Sequence, residues 1–138
     1  MVAHARRIAS PAQRRAAVVV EMAILLPFLT FCFIVALDYC RIFYCMQAVQ
    51  NAAESGAVYA CLSADNAANS TQIASAAQAD ANNLSPTPTV TTVQGTDADG
   101  NATVSVTVSF TFKTIANYPG IPSSTNLSRT VTMRVCPP

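Results

Sequence analysis

The chain has 138 residues, 51% of them hydrophobic and only 11% charged, and a formal net charge of +1. That length fits one domain with an anchor and excludes a large multidomain enzyme, and so apolar a balance is unusual for a soluble protein of this size. The near-neutral total hides an asymmetry, because Arg6, Arg7, Arg14 and Arg15 precede residue 16 with no acid among them, while seven acids outnumber Arg41, Lys113, Arg129 and Arg134 in the remainder. Four arginines crowded against an apolar run make no phosphate-tracking surface, which argues against a nucleic-acid partner.

Residues 1–15 contain Pro11 and show no apolar period, so residues 1–16 read as a short, disordered basic leader in which the lone histidine, His4, is merely solvated. From Ala16 to Leu37 the chain reads AAVVVEMAILLPFLTFCFIVAL, with Glu21 as its only charge. A helix needs about 20 such residues to cross the hydrocarbon core of a membrane. The arginines before the span place the N-terminus in the cytoplasm and everything after about Asp38 on the far side. A removed secretory signal fits less well: the run is long, it contains an acid, and the exit VALDYCRIF offers no small-x-small cleavage site.

Beyond Leu37 the apolar positions Ile42, Met46, Val49, Ala53, Gly56 and Ala60 recur at steps of three and four, with Arg41, Gln47, Gln50, Asn51, Glu54 and Ser55 between them. This is a narrow amphipathic stripe, and no breaker separates it from the span. One helix is therefore expected over 17–62, membrane-spanning over about 17–37 and amphipathic over 38–62. Pro27 should kink it rather than end it. The small residues Ala53, Gly56, Ala57 and Ala60, with Ala48 and Ala52, would let neighbouring helices approach closely.

Residues 63–138 form the expected exported domain. An alanine-rich stretch suggests a second helix over about 67–83, capped by Asp65 or Asn66, before Ser85-Pro86-Thr87-Pro88 breaks it. The pattern then becomes β. Val104, Val106, Val108, Phe110 and Phe112 alternate with Thr and Ser, Val131, Met133 and Val135 do the same, and a run from Thr89 to Gln94 joins the longest strand through the hairpin chemistry of GTDADGN. Three antiparallel strands with one apolar face need a cover, and the outer half of the long helix is the available one. The fold class is α+β, a long transmembrane-amphipathic helix packed on a small antiparallel sheet.

Glu21 is the leading functional candidate. A carboxylate within an apolar span costs about 2.5–3.5 kcal/mol at the helix centre and less near the interface, so a positive group on another chain is its natural partner; the competing reading is a tolerated interfacial acid. Cys32 reads as inert packing. Cys40 and Cys45 lie about 140° apart around the helix and cannot bond to one another. Cys61 and Cys136 end the helix and the last strand on the oxidising side, where a disulfide would tie the two together. Asp97, Asp99 and Asn101 have the alternate spacing of a calcium loop, but Gly100 is misplaced and Val108 stands where the closing glutamate belongs, so a solvated turn is the better reading. The N-x-S/T triplets at Asn69, Asn101 and Asn126 are expected by chance in this composition. No metal ligand set, cofactor loop or nucleophile with a base is present, which argues against an enzyme, a metal site and a cofactor.

The stretch from Arg14 to Ala60 resembles the TadE-like family of Tad (Flp) pilus systems. The elements that carry the resemblance are Arg14-Arg15, the small Ala16, four apolar residues, Glu21, Pro27, the acidic-aromatic exit Asp38-Tyr39, and the pattern Q-A-x-x-N-A-A-x-x-G-A-x-Y-A from Gln47 to Ala60. The resemblance implies a pilin-like architecture and a minor pseudopilin that helps assemble a pilus or related secretion apparatus. Its implied partners are the membrane, other pilin or pseudopilin subunits, a prepilin peptidase and the Tad assembly machinery. It implies cleavage between Ala16 and Ala17, with Glu21 pairing to the new N-terminal ammonium of a neighbouring subunit. The location would be the bacterial inner membrane, single-pass, with the C-terminal domain periplasmic or extracellular. The alternative from a different class is a permanently anchored periplasmic module that binds a protein or cell-wall partner through its sheet.

Overall fold

The computed structural model describes residues 11–115 and 122–137. It divides into two units, one ending at Leu37 and one running from Asp38. The elements are α1 (Pro11–Cys61), α2 (Ala64–Ala68), α3 (Ser70–Asp80), β1 (Thr89–Thr96), β2 (Ala102–Lys113) and β3 (Ser124–Arg134). An apolar N-terminal helix followed by a three-stranded antiparallel sheet is the α+β class expected from the sequence.

Helix α1 begins six residues before the expected start at Ala17. Proline suits a first helical position, since its fixed φ is already helical and its missing N–H would have found no partner there. Residues 11–16 are thus helical rather than a structureless leader, whereas His4, Arg6 and Arg7 lie outside the described residues. In the first unit α1 is apolar and unburied, with Val19, Ile24, Leu26, Phe28 and Leu29 all well exposed. Among the described residues α1 holds the one stretch long and apolar enough to cross a membrane, and none of that stretch is buried inside the protein. A core helix of a soluble protein would be buried; this one needs an apolar surrounding supplied from outside.

The second unit has a core of its own. Strand order is β1-β2-β3, both pairings antiparallel. In the central strand Val104, Val106, Val108, Phe110 and Phe112 face the core, as the period of two requires. On the opposite face the intervening hydroxyls form a cross-strand ladder with β3, Ser105 to Thr132 at 2.7 Å, Thr107 to Thr130 at 2.7 Å and Ser109 to Ser128 at 3.1 Å. The β1–β2 turn closes through Asp97, whose carbonyl accepts from Gly100 at 3.0 Å and whose N–H donates to Asn101 at 2.9 Å. Gly100 has φ +82°, a conformation that glycine adopts without a Cβ penalty.

The apolar side of the sheet packs with Val49, Ala52, Ala53, Ala57 and Ala60 of α1 and with Ile73 and Ala77 of α3. The single helix expected over 67–83 is in fact two. Ser63 caps α2, accepting from the Asn66 N–H at 3.1 Å, and Asn69 caps α3, accepting from Gln72 at 3.1 Å. A second capping side chain within one helix length offers the backbone a restart, which is why the stretch breaks at Asn69.

Candidate functional site

Glu21 lies on α1 among apolar neighbours and is exposed. Val18, Val20, Met22, Ile24 and Leu25 around it are also exposed. Among the described residues Glu21 makes no ion pair and no side-chain hydrogen bond. Its carboxylate therefore has no partner within those residues, which is the condition under which a second chain's cation would stabilise it most. Ala16 and Ala17 are helical and exposed, the sixth and seventh residues of α1. Pro27 sits inside α1, and the helix continues on both sides of it. In the next turn the Thr30 hydroxyl donates to the Leu26 carbonyl at 2.9 Å.

Ala53, Gly56, Ala57 and Ala60 are where the structure departs from the sequence reading. All four are buried inside the second unit, with Ala53, Ala57 and Ala60 at 0% exposure. A Cβ on Gly56 would meet Val106 Cγ1 at 3.1 Å, Ala77 Cβ at 3.2 Å and Ile73 Cγ2 at 3.5 Å. These small side chains let α1 approach the chain's own sheet and α3, so they are not available as a packing surface for a neighbouring helix. Ala48 and Ala52, buried in the same core, follow them.

Asp38 is the residue that the sequence reading undervalued. It is the one buried charged side chain among the described residues, 7% exposed, at the first position of the second unit. Its carboxylate pairs with Arg41 at 3.0 Å and accepts the Ile115 N–H at 3.2 Å on each oxygen. The Arg41 guanidinium in turn lies 5.0 Å from the centre of the Phe112 ring, within cation–π range. The chain Asp38–Arg41–Phe112, with Ile115 just beyond β2, fastens the end of the central strand to the start of the amphipathic half of α1. The legible signal was an acid directly after the apolar run with an arginine three residues on, one helical turn away. Partial burial raises the Cys45 thiol above its ordinary pKa, with the Arg41 charge opposing the shift; a protonated thiol is a poor nucleophile.

Asp97 and Asp99 both lie in the turn between β1 and β2. Arg134 of β3 pairs with Asp97 at 2.6 Å and Asp99 at 2.8 Å. Hydrogen bonds from the Asn101 backbone and side chain and the Asp99 backbone, together with the Arg134 charge, hold the Asp97 carboxyl below its usual range against a smaller desolvation effect.

The C-terminal end of α1 is capped by a residue just beyond it and by one from the far end of the chain. The Asn66 amide donates to the Tyr59 carbonyl at 3.2 Å and the Cys136 N–H to the Cys61 carbonyl at 2.8 Å, which satisfies two of the carbonyls that a helix end leaves open. Cys61 and Cys136 are both free thiols, as are Cys32, Cys40 and Cys45.

The family model described as TadE-like protein matches residues 16–58, from the small residue before the apolar span to near the end of the buried seam. Residues 16–58 are a TadE-like segment. The match contains Glu21, Pro27, Asp38 and Gly56 and stops short of the sheet. The matched segment also carries the candidate membrane span. No curated protein and no solved structure matches the chain.

Proposed function

We propose that this chain is a minor pseudopilin, a structural and assembly component of a Tad (Flp) type IV pilus or a related secretion apparatus. The observation that carries the reading is the TadE-like match over residues 16–58, whose first half is an unburied apolar stretch of α1 with one unpaired acid, Glu21. In this reading a prepilin peptidase cuts between Ala16 and Ala17. Glu21 then pairs with the N-terminal ammonium of an adjacent subunit, offsetting the cost of its own charge and setting the axial register. The four arginines before the span, against Arg41 after it, support a cytoplasmic N-terminus in the inner membrane with residues 38–138 exported. Intersubunit packing would use the exposed faces of α1, since its small-residue seam is covered by the chain's own sheet.

Glu21→Ala and Glu21→Gln should leave membrane insertion intact and abolish pilus assembly or secretion; pili formed at the parental level by both variants would overturn the mechanism. The covered seam also favours a second reading, a permanently anchored module whose sheet binds a protein or cell-wall partner. Mass spectrometry of the mature N-terminus separates them. A chain starting at Ala17 fits the pseudopilin, and an unprocessed leader fits the anchored module.

A further inference from the structure

We infer that Cys61 and Cys136 form an intramolecular disulfide in the exported protein, a clamp that closes the second unit on itself. The Cys136 N–H donates to the Cys61 carbonyl at 2.8 Å. With standard bond lengths on either side of that contact, the two Cα atoms lie no more than about 6.7 Å apart, inside the span that a disulfide bridges. The approach is built by the fold. Val135 still pairs with Ala102 at 2.8 Å, Cys136 caps the helix end, and Pro137 next to it has no N–H with which to extend the pairing. Cys136 is exposed and Cys61 half-buried, so an oxidant reaches the pair. The Cys61 thiol donates to the Val58 carbonyl at 3.2 Å in the reduced form, a bond that formation of the link gives up. Cys40 and Cys45 are held on α1 one to two turns from its membrane half, far from Cys136 in the chain.

The chemistry is thiol–disulfide exchange. A Cys thiolate attacks a disulfide-bearing oxidant of the exported compartment, forming a mixed disulfide. The second Cys thiolate then displaces the oxidant's remaining sulfur. The two protons given up by the cysteine thiols are taken up by the oxidant's two sulfurs, the pair loses two electrons, and the oxidant leaves as a dithiol. The link encloses α2, α3 and all three strands and holds β3, an edge strand, at the point where it would otherwise fray. The inference rests on the proposed topology only in needing residues 38–138 to meet an oxidising compartment.

The test uses the full-length chain expressed in bacterial membranes, quenched in acid, denatured and labelled with a maleimide of defined mass. Of the five cysteines, three should label before reduction and all five after, and peptide mapping should join Cys61 to Cys136 within one chain. Cys61→Ser and Cys136→Ser should each leave four labelled thiols, and reduction of the parent should lower its unfolding midpoint by about 10 °C or more. Five labelled thiols before reduction, or a link from either cysteine to another partner, overturns the inference. Treating the purified reduced protein with oxidised glutathione then locates the error. If the link forms there but not in cells, the topology is wrong; if it forms in neither, the geometry is wrong. Glu21→Gln should leave the link unchanged, so a failure here and a failure of the pseudopilin mechanism are read separately.

Discussion

Up to Leu37, α1 carries Val, Ile, Leu and Phe side chains that stay exposed around the helix, Ile24 at 71% and Leu26 at 67%; from Ala48 to Ala60 it carries mostly small residues, and Ala52, Ala53, Ala57 and Ala60 are at 0%. The reversal follows from what each half is packed against. Lipid is fluid and conforms to any side chain, so bulk is tolerated on every face and only apolarity is required. A sheet made of Val104, Val106 and Val108 is rigid and already bulky, so the helix that covers it must present little volume for the interior to close at crystal-like density. Hydrophobicity alone therefore does not say what a helix face packs on; side-chain size distinguishes the two halves.

Substitutions that exchange bulk between the halves should break this contrast if it is wrong. Phe112→Ala, at a position 2% exposed, should destabilise the second unit by about 3–5 kcal/mol, whereas Phe28→Ala in the membrane half should leave the denaturant midpoint of that unit unchanged. Equal effects would mean that the two units do not have separate environments. Gly56→Leu should cost about 1–3 kcal/mol through overpacking against Val106, Ala77 and Ile73, and Ala23→Leu should be neutral by the same measurement. At the junction, Asp38→Ala strands the Ile115 N–H and frees Arg41. A loss of about 1–3 kcal/mol, with faster amide exchange at Ile115, is expected.

The smallest effect concerns acid. The Asp97 carboxyl has a folded pKa below its ordinary 3.8, so its stabilisation is complete above that value and is lost as pH falls through the folded one. The midpoint for unfolding should drop below pH 3.8, and Asp97→Asn should flatten that limb; parallel acid limbs in parent and variant would show that the turn contributes nothing.

Much of this was open to inspection in one dimension. The apolar span, its lone acid, the alternation of β2 and the breaker before β1 are local patterns of a single chain, and the period of an element is set by its own backbone. The helical break at Asn69 was not, because Asp65, Asn66 and Asn69 are all competent caps and the choice depends on where Ile73 and Ala77 must sit to enter the core. Asp38 read as the polar exit of a membrane span; only the return of the chain to Ile115, 77 residues later, made it a buried anchor.

By itself the sequence determined that an apolar helix with one acid precedes a small antiparallel sheet, and it supplied the TadE-like signature on that helix. Tertiary structure decided that Ala53, Gly56, Ala57 and Ala60 belong to the chain's own core and that Cys61 and Cys136 meet. A stripe of small residues is equally suited to a neighbouring helix or to a sheet, and nothing along the chain distinguishes the two. The choice falls to whichever surface arrives first at high effective concentration, and here that surface is tethered to the same polypeptide.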